Sequence, residues 1–347
     1  MTTKEEEKMK AAYLKAPFQF EVREVDLREI KMDEVLVKVM ACSVCGHDMI
    51  MAGYGATEMQ PFGHEISGVV ERVGSYVSNV AVGDHVVLES GTFNRFSNNS
   101  RNGRVDLDNK GPNFWLKDDD TMGFAERIIV PMEVCIKFEG LTFEETCVIE
   151  PMGVALDLVK TADIQLNNDV LVIGLGPIGL MAARLAKAMG ARKVYGSELS
   201  IAKARIELAK KWGVDEIICP DLEKVEEYKF ENGGVDRVLV TAPPKTIPTA
   251  IKVCNVGGII GFLGIDYGPE GNVTFDSNVF HVNKLQLRSS FASPALYFPE
   301  CIDLIKSGTV NTKELVTHRF KIDEIAKGMT QFRDDRETGI KSVMINE

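Results

Sequence analysis

At 347 residues the chain is longer than one hydrophobic core ordinarily serves, so two domains are expected. Its 45% apolar and 26% charged residues sit at globular averages, which excludes a disordered or fibrous chain. A formal net charge of −11 with no basic stripe opposes phosphate backbones and anionic lipid, so neither a nucleic-acid nor a membrane partner is expected.

The chain opens with MTTKEEEKMK, charged where a secretory leader needs an apolar stretch, and no run of 18 apolar residues follows. A cytoplasmic location is the expectation. The seven cysteines are scattered and odd in number, which reads as reduced thiols or metal ligands rather than a disulfide framework. From Glu34 to about Ser90, short β-branched runs (VLVKVMA, ISGVVERVG, DHVVLES) alternate with Gly and Asp turns, the pattern of a strand-rich barrel. Residues 91–121 lose periodicity and are rich in Asn, Gly and Asp, a long surface excursion. Strand signals resume at GFAERIIVP.

After about Asp157 the texture changes. DVLVIG reads as a buried strand, and Pro177 to Met189 as a helix with Ile178, Met181, Ala182, Leu185 and Met189 on one face and Gly190 as its C-cap. Strand-like KVYGS, VDRVLVT and GGIIGFLGI follow, separated by helical stretches such as SIAKARIELAKKWG. This alternation implies an α/β fold with a doubly wound parallel sheet. From about Phe291 the pattern is mixed again, so the expected division is a β-rich domain over 1–156 and 292–347 and a parallel-sheet domain over 157–291.

The loop Gly174-Leu175-Gly176-Pro177-Ile178-Gly179 follows a strand and opens a helix, the context in which a glycine pattern implies a bound dinucleotide. Gly174 permits the turn, Gly176 lets the backbone approach a pyrophosphate, Gly179 lets helix and strand pack, and Pro177 and Ile178 begin the helix whose N–H groups face the phosphates. Glu198, 24 residues past the first glycine, is placed to accept both ribose hydroxyls, which favours NAD over NADP; Lys203 and Arg205 downstream soften that preference.

Cys45-Gly46-His47-Asp48, Gly63-His64-Glu65 and Glu150-Pro151 are clusters of thiolate, imidazole and carboxylate that suit zinc, although each residue taken alone is equally compatible with core or surface. Cys42 reads as core. The series CSVCGHD, PFGHEISGVVERVGS, VAVGDHVV, GFAERIIVP, IEPMGVA and VLVIGLGPIGL covers nearly the whole chain and resembles the zinc-dependent medium-chain dehydrogenases, sorbitol and threonine dehydrogenases above all. The resemblance implies a GroES-like catalytic domain beside a Rossmann domain. It implies Cys45, His64 and Glu150 as zinc ligands, Glu65 as a fourth ligand or one that exchanges with water, and Asp48 as the residue that orients His64 through its far ring nitrogen. It also implies a homodimer or homotetramer.

Two positions depart from the family. Residues 91–121 contain none of the closely spaced cysteines that hold a structural zinc, so one catalytic zinc is expected. His47 stands where a Ser or Thr passes the substrate proton onward; an imidazole can relay a proton or contact a substrate oxygen. The expected function is hydride transfer from a secondary alcohol of a sugar, polyol or cyclitol to NAD. The alternatives are a zinc-free quinone or enoyl reductase of the same fold and a non-catalytic NAD-binding protein. In the family the 91–121 region lies away from the zinc, which points to subunit contacts. Arg288 to Phe298 reads equally as a wall near the nicotinamide, a subunit contact or an interdomain hinge.

Overall fold

In the computed structural model, which describes residues 8–115, 121–266, 268 and 271–346, the chain begins with β1 (Lys8–Lys15), β2 (Gln19–Asp26), β3 (Glu34–Ser43), β4 (Gln60–Pro61), β5 (Glu65–Val73), β6 (His85–Leu88), β7 (Arg127–Pro131) and β8 (Cys135–Lys137). Residues 1–7 of the charged N-terminus and 116–120 of the excursion lie outside the described residues. β1 pairs with β2 and β4; β3 lies between β5 and β7, and β5 continues through β6 to β8, all antiparallel. β3 (EVLVKVMACS) is buried at all but two positions, which suits it to the middle of a sheet. Among the described residues no helix is long and apolar enough to cross a membrane.

Six further strands, β9 (Asp169–Ile173), β10 (Lys193–Ser197), β11 (Glu216–Ile218), β12 (Val235–Val240), β13 (Cys254–Phe262) and β14 (Gln286–Ser289), form one parallel sheet in the order β11-β10-β9-β12-β13-β14. That order reverses direction between β9 and β12, where open α/β sheets bind ligands at the carboxyl ends of their strands. β9 (DVLVI) is buried throughout, as a strand covered on both faces must be. Helix Pro177–Ala188 follows it with Pro at its first turn and Gly190 closing behind it at φ +93°. The apolar face is wider than the periodicity suggests: Leu180 and Ala183 are buried as well, because helices Ile149–Thr161 and Phe298–Lys306 join the same core. Met189 is the exception to the expected face. It stands 40% exposed, since the helix ends one residue before it and the chain turns away at Gly190.

The chain ends in β15 (Val316–Phe320) and β16 (Lys341–Ile345); β16 runs parallel to β15 and antiparallel to β3, so the last strand lies against the strand that leads to Cys45. The 91–115 part of the excursion is folded back on itself. Gly91 bridges Asn113, short turns occupy Asn98–Arg101 and Val105–Leu107, and Thr92, Asp108 and Phe114 are buried. The Asp108 carboxylate accepts the N–H groups of Asn94 (3.3 Å) and Lys110 (3.1 Å), which closes the loop without regular structure.

Candidate metal and dinucleotide site

Three neighbouring strands bring the metal-capable side chains together. Ser43 pairs with Glu65 across β3 and β5, and with Val343 across β3 and β16, so Glu65, the approach to Cys45 and the start of β16 lie side by side. Cys45 caps the short helix Gly46–Ile50: its Sγ accepts the His47 N–H (3.4 Å), and the Asp48 carboxylate reaches back to the Cys45 N–H (2.9 Å). Gly63, ahead of His64, holds φ +94°, and a Cβ there would lie 2.5 Å from the Phe124 ring, so this turn into the GHE sequence requires glycine.

Cys45, His64 and Glu65 each present a donor atom within 4.8 Å of the others. Ligand atoms at zinc distances of about 2.0–2.3 Å in a tetrahedron stand about 3.3–3.8 Å apart, so a small closure of these side chains completes the geometry. His64 Nδ1 is buried and has no hydrogen-bond partner. Burial opposes a charge on His64, yet Cys45, Asp48 and Glu150 together push its imidazole well above the ordinary value. The Cys45 thiol is raised by burial, against the pull of His64. A dry group of anionic donors around one imidazole is an environment that favours a cation. Thiol, imidazole and carboxylate, brought together out of water, are a donor set that fits zinc.

Glu150 is placed by the first turn of helix Ile149–Thr161 and accepts a hydrogen bond from Ser90 Oγ (3.4 Å). It stands outside the close cluster of Cys45, His64 and Glu65. Its carboxyl is pushed up to about 7, first by burial, with Glu65 adding to the rise and His64 opposing it. Asp48 faces Nδ1 of His64 without a hydrogen bond to it. Its Oδ1 lies 3.8 Å from His64 Nδ1, an ion-pair approach longer than a hydrogen bond, while its Oδ2 accepts the Cys45 N–H. Glu65 has its own partners: it accepts from Ser43 Oγ and from Lys341 Nζ (2.8 Å), and Lys341 also donates to the Val44 carbonyl (2.8 Å). Both members of this ion pair are buried, and nothing in KSVMI marks its lysine as part of a site. Cys42 is fully buried against Gly123 and is a core residue.

Trp115 is the second residue that sequence reasoning missed. It comes from the excursion expected to lie away from the metal, yet its ring centroid is 4.6 Å from that of His64 and 6.0 Å from that of His47. The excursion returns over the donor cluster because Phe114, beside Trp115, is anchored in the core under β3 and β5. His47 stands 6.2 Å from His64, with its imidazole lowered by burial and by that neighbour.

At the reversal of the parallel sheet, Gly174 has φ +93° and a Cβ on Gly179 would lie 1.9 Å from the Gly174 carbonyl, so loop and helix pack as closely as the glycine pattern implies. A Cβ at Gly176 would meet nothing within 4 Å, which leaves open space in front of the helix that Pro177 and Ile178 begin, as a pyrophosphate requires. Glu198 accepts N–H groups from Leu175 (3.1 Å) and Leu199 (2.8 Å), and Arg205 Nη1 lies 3.6 Å from it. The 288–298 segment ties to helix Ile149–Thr161: Ser290 donates to Asp157 (2.5 Å) and Arg288 to the Thr161 carbonyl (3.0 Å). It also touches the excursion, through the Ala295 N–H and the Gly91 carbonyl (2.8 Å).

Residues 31–140 match the alcohol dehydrogenase GroES-like domain and residues 177–307 the zinc-binding dehydrogenase domain. D-xylulose reductase A of Aspergillus oryzae is 30% identical, over 90% of this chain and 89% of its own. The chain belongs to the zinc-binding alcohol dehydrogenase family. Sorbitol dehydrogenase of Bacillus subtilis is also 30% identical, over 96% of this chain and 97% of its own. A Sinorhizobium meliloti structure bound to NADP superposes with a TM-score of 0.86 at 26% identity, covering 98% of this chain and all of that one. This member of the zinc-binding alcohol dehydrogenases is accordingly an oxidoreductase of a zinc-binding family.

Proposed function

We propose that this dehydrogenase oxidises a secondary hydroxyl of a sugar, polyol or cyclitol to a ketone with NAD, and that Cys45, His64 and Glu150 hold one zinc ion with Glu65 as an exchanging fourth ligand. The observation that carries the reading is the buried cluster of thiol, imidazole and carboxylate donors formed by Cys45, His64 and Glu65. Relatives named for xylulose and sorbitol support the substrate class. Zinc bound there supplies a Lewis acid, which can lower the pKa of a bound water from about 15.7 to about 7 and so makes a hydroxyl proton easy to remove. At about 1.36 kcal/mol per pKa unit this is at most ~12 kcal/mol of stabilisation.

The chain's own residues supply the rest. The neutral His47 ring takes the hydroxyl proton and passes it outward, its lowered pKa keeping it unprotonated at neutral pH. Trp115 excludes water from one side of the donor cluster and offers an apolar face to the carbon skeleton. Asp48 keeps Cys45 in place through its capping bond. Gly174, Gly176 and Gly179, with Pro177 and Ile178, seat the pyrophosphate. Glu198 binds the ribose hydroxyls and repels a 2′-phosphate, with Arg205 beside it as its counter-ion.

In this reading residues 1–156 and 292–347 form the catalytic domain and 157–291 the cofactor domain. The active form is a homodimer or homotetramer. β14 is one of the two edge strands of the parallel sheet, and near it Val282 and Phe291 stand 71% and 62% exposed, an apolar edge that a second copy would cover. All seven cysteines are unpaired, which suits a reducing cytoplasm.

The test is to measure bound metal and NADH formation on purified protein with a panel of sugars, polyols and cyclitols. One zinc per chain with NAD-dependent turnover is the expected result. Absence of zinc from active protein would favour the zinc-free reductase, and zinc without turnover over the whole panel would remove the substrate class.

A further inference from the structure

The segment 335–341 touches both halves of the site. The Glu337 carbonyl accepts the Ala204 N–H (3.0 Å) and its carboxylate pairs with Lys203 (2.6 Å), while the Gly339 carbonyl accepts Arg205 Nε–H (3.1 Å). These partners stand at the start of helix Lys203–Lys211 in the parallel-sheet half. Arg205 also lies 3.6 Å from Glu198. Two residues beyond Gly339, Lys341 donates to Glu65 and to the Val44 carbonyl, and the Ser342 carbonyl accepts the Val44 N–H (2.9 Å). Both backbone polar groups of the residue before Cys45 are therefore held by β16. The Lys203–Glu337 pair is exposed at both ends and contributes little alone. The Arg205 and Lys341 side chains are only 26% and 3% exposed, so the contacts at the two ends of the segment are the firm ones.

We propose that Arg205 is a positioning residue that couples occupation of the adenosine-ribose site at Glu198 to the grip of Cys45 and Glu65 on the metal, acting through Gly339 and Lys341. The proposal rests on the zinc and dinucleotide reading above. Ribose hydroxyls donating to Glu198 draw its charge towards the nucleotide and reset its approach to Arg205, and with it the hold of Arg205 on Gly339. Zinc then meets a brace whose contacts favour the same arrangement, and each ligand strengthens the other's binding.

AMP is the probe, because it carries the adenosine ribose but no nicotinamide, so any effect on the metal passes through the protein. Zinc release from the full-length zinc-loaded enzyme into a chelating dye is timed with and without AMP, at concentrations shown by calorimetry to saturate each variant. Wild type is expected to release zinc at least about fivefold more slowly with AMP. In Arg205→Met the ratio is expected to fall to about one. Arg205→Lys restores part of it, since an ammonium lacks the fork that reaches two acceptors at once. That partial loss in Arg205→Lys decides the matter if Arg205→Met does not fold. A wild-type ratio of one, with zinc and AMP both bound, overturns the coupling alone, as does a full ratio in Arg205→Met or, where that variant does not fold, in Arg205→Lys. Failure of wild type to bind zinc or AMP overturns the reading of the site and the coupling with it.

Discussion

Replacing Lys341 by Met tests the unforeseen part of the site. Lys341 and Glu65 are both buried, and the Lys341 ammonium makes two hydrogen bonds of 2.8 Å, one to Glu65 and one to Val44. Removing one partner of such a pair leaves the other charge uncompensated and costs about 3–5 kcal/mol. An unfolding entropy of about 2.1 cal/mol/K per residue gives about 0.7 kcal/mol/K for a chain of this length, so the melting temperature of metal-free protein should fall by about 4–7 °C. Glu65→Gln in the Lys341→Met background removes the stranded charge and should recover more than half of the loss, whereas independent sites would add. The assay is calorimetry of the four proteins of the cycle after chelation. A Lys341→Met protein that melts within about 1 °C of wild type, or a double variant as unstable as the sum of the singles, would refute the argument that Glu65 needs this counter-charge.

Cys45→Ala should abolish stoichiometric zinc and lower kcat by at least about a hundredfold, read by metal analysis and NADH formation. Glu198→Ala should raise the KM for NAD about tenfold and narrow the preference over NADP, which steady-state kinetics with both cofactors would show. His47 accepts a proton only when neutral, and burial holds its pKa below the ordinary value of 6.5, so kcat/KM for alcohol oxidation should fall only on the acid side of that value; His47→Ser should displace that limb in a pH profile. Glu89 is buried, which pushes its carboxyl up to about 8. The folded protein thus binds a proton that the unfolded chain releases at about 4.5, and the stability this brings, present in full below 4.5, is lost as pH rises toward 8, by up to about 5 kcal/mol. Glu89→Gln should therefore melt progressively higher than wild type between pH 6 and 9, and a difference that does not change with pH would count against it.

Local pattern was enough to read much of this protein. DVLVI followed by three glycines and a helix, and GHE after a turn, are short-range features in which residue type and spacing specify strand, loop and helix directly, so the parallel sheet, the glycine loop and the Cys45, His64 and Glu65 candidates were visible in the sequence. Spatial neighbours remote in sequence were not. Lys341 reaches Glu65 only because β16 pairs with β3, and Trp115 lies on His64 only because the excursion folds back onto a buried Phe114. That Asp48 caps Cys45 through one carboxylate oxygen while the other faces His64 is likewise set by how the short helix sits against the turn before β5. Periodicity and motif report what a residue does with its chain neighbours. Which charge neutralises a buried carboxylate, and which ring covers a metal ligand, depend on strand pairing and loop closure, and those are settled only when the whole chain packs.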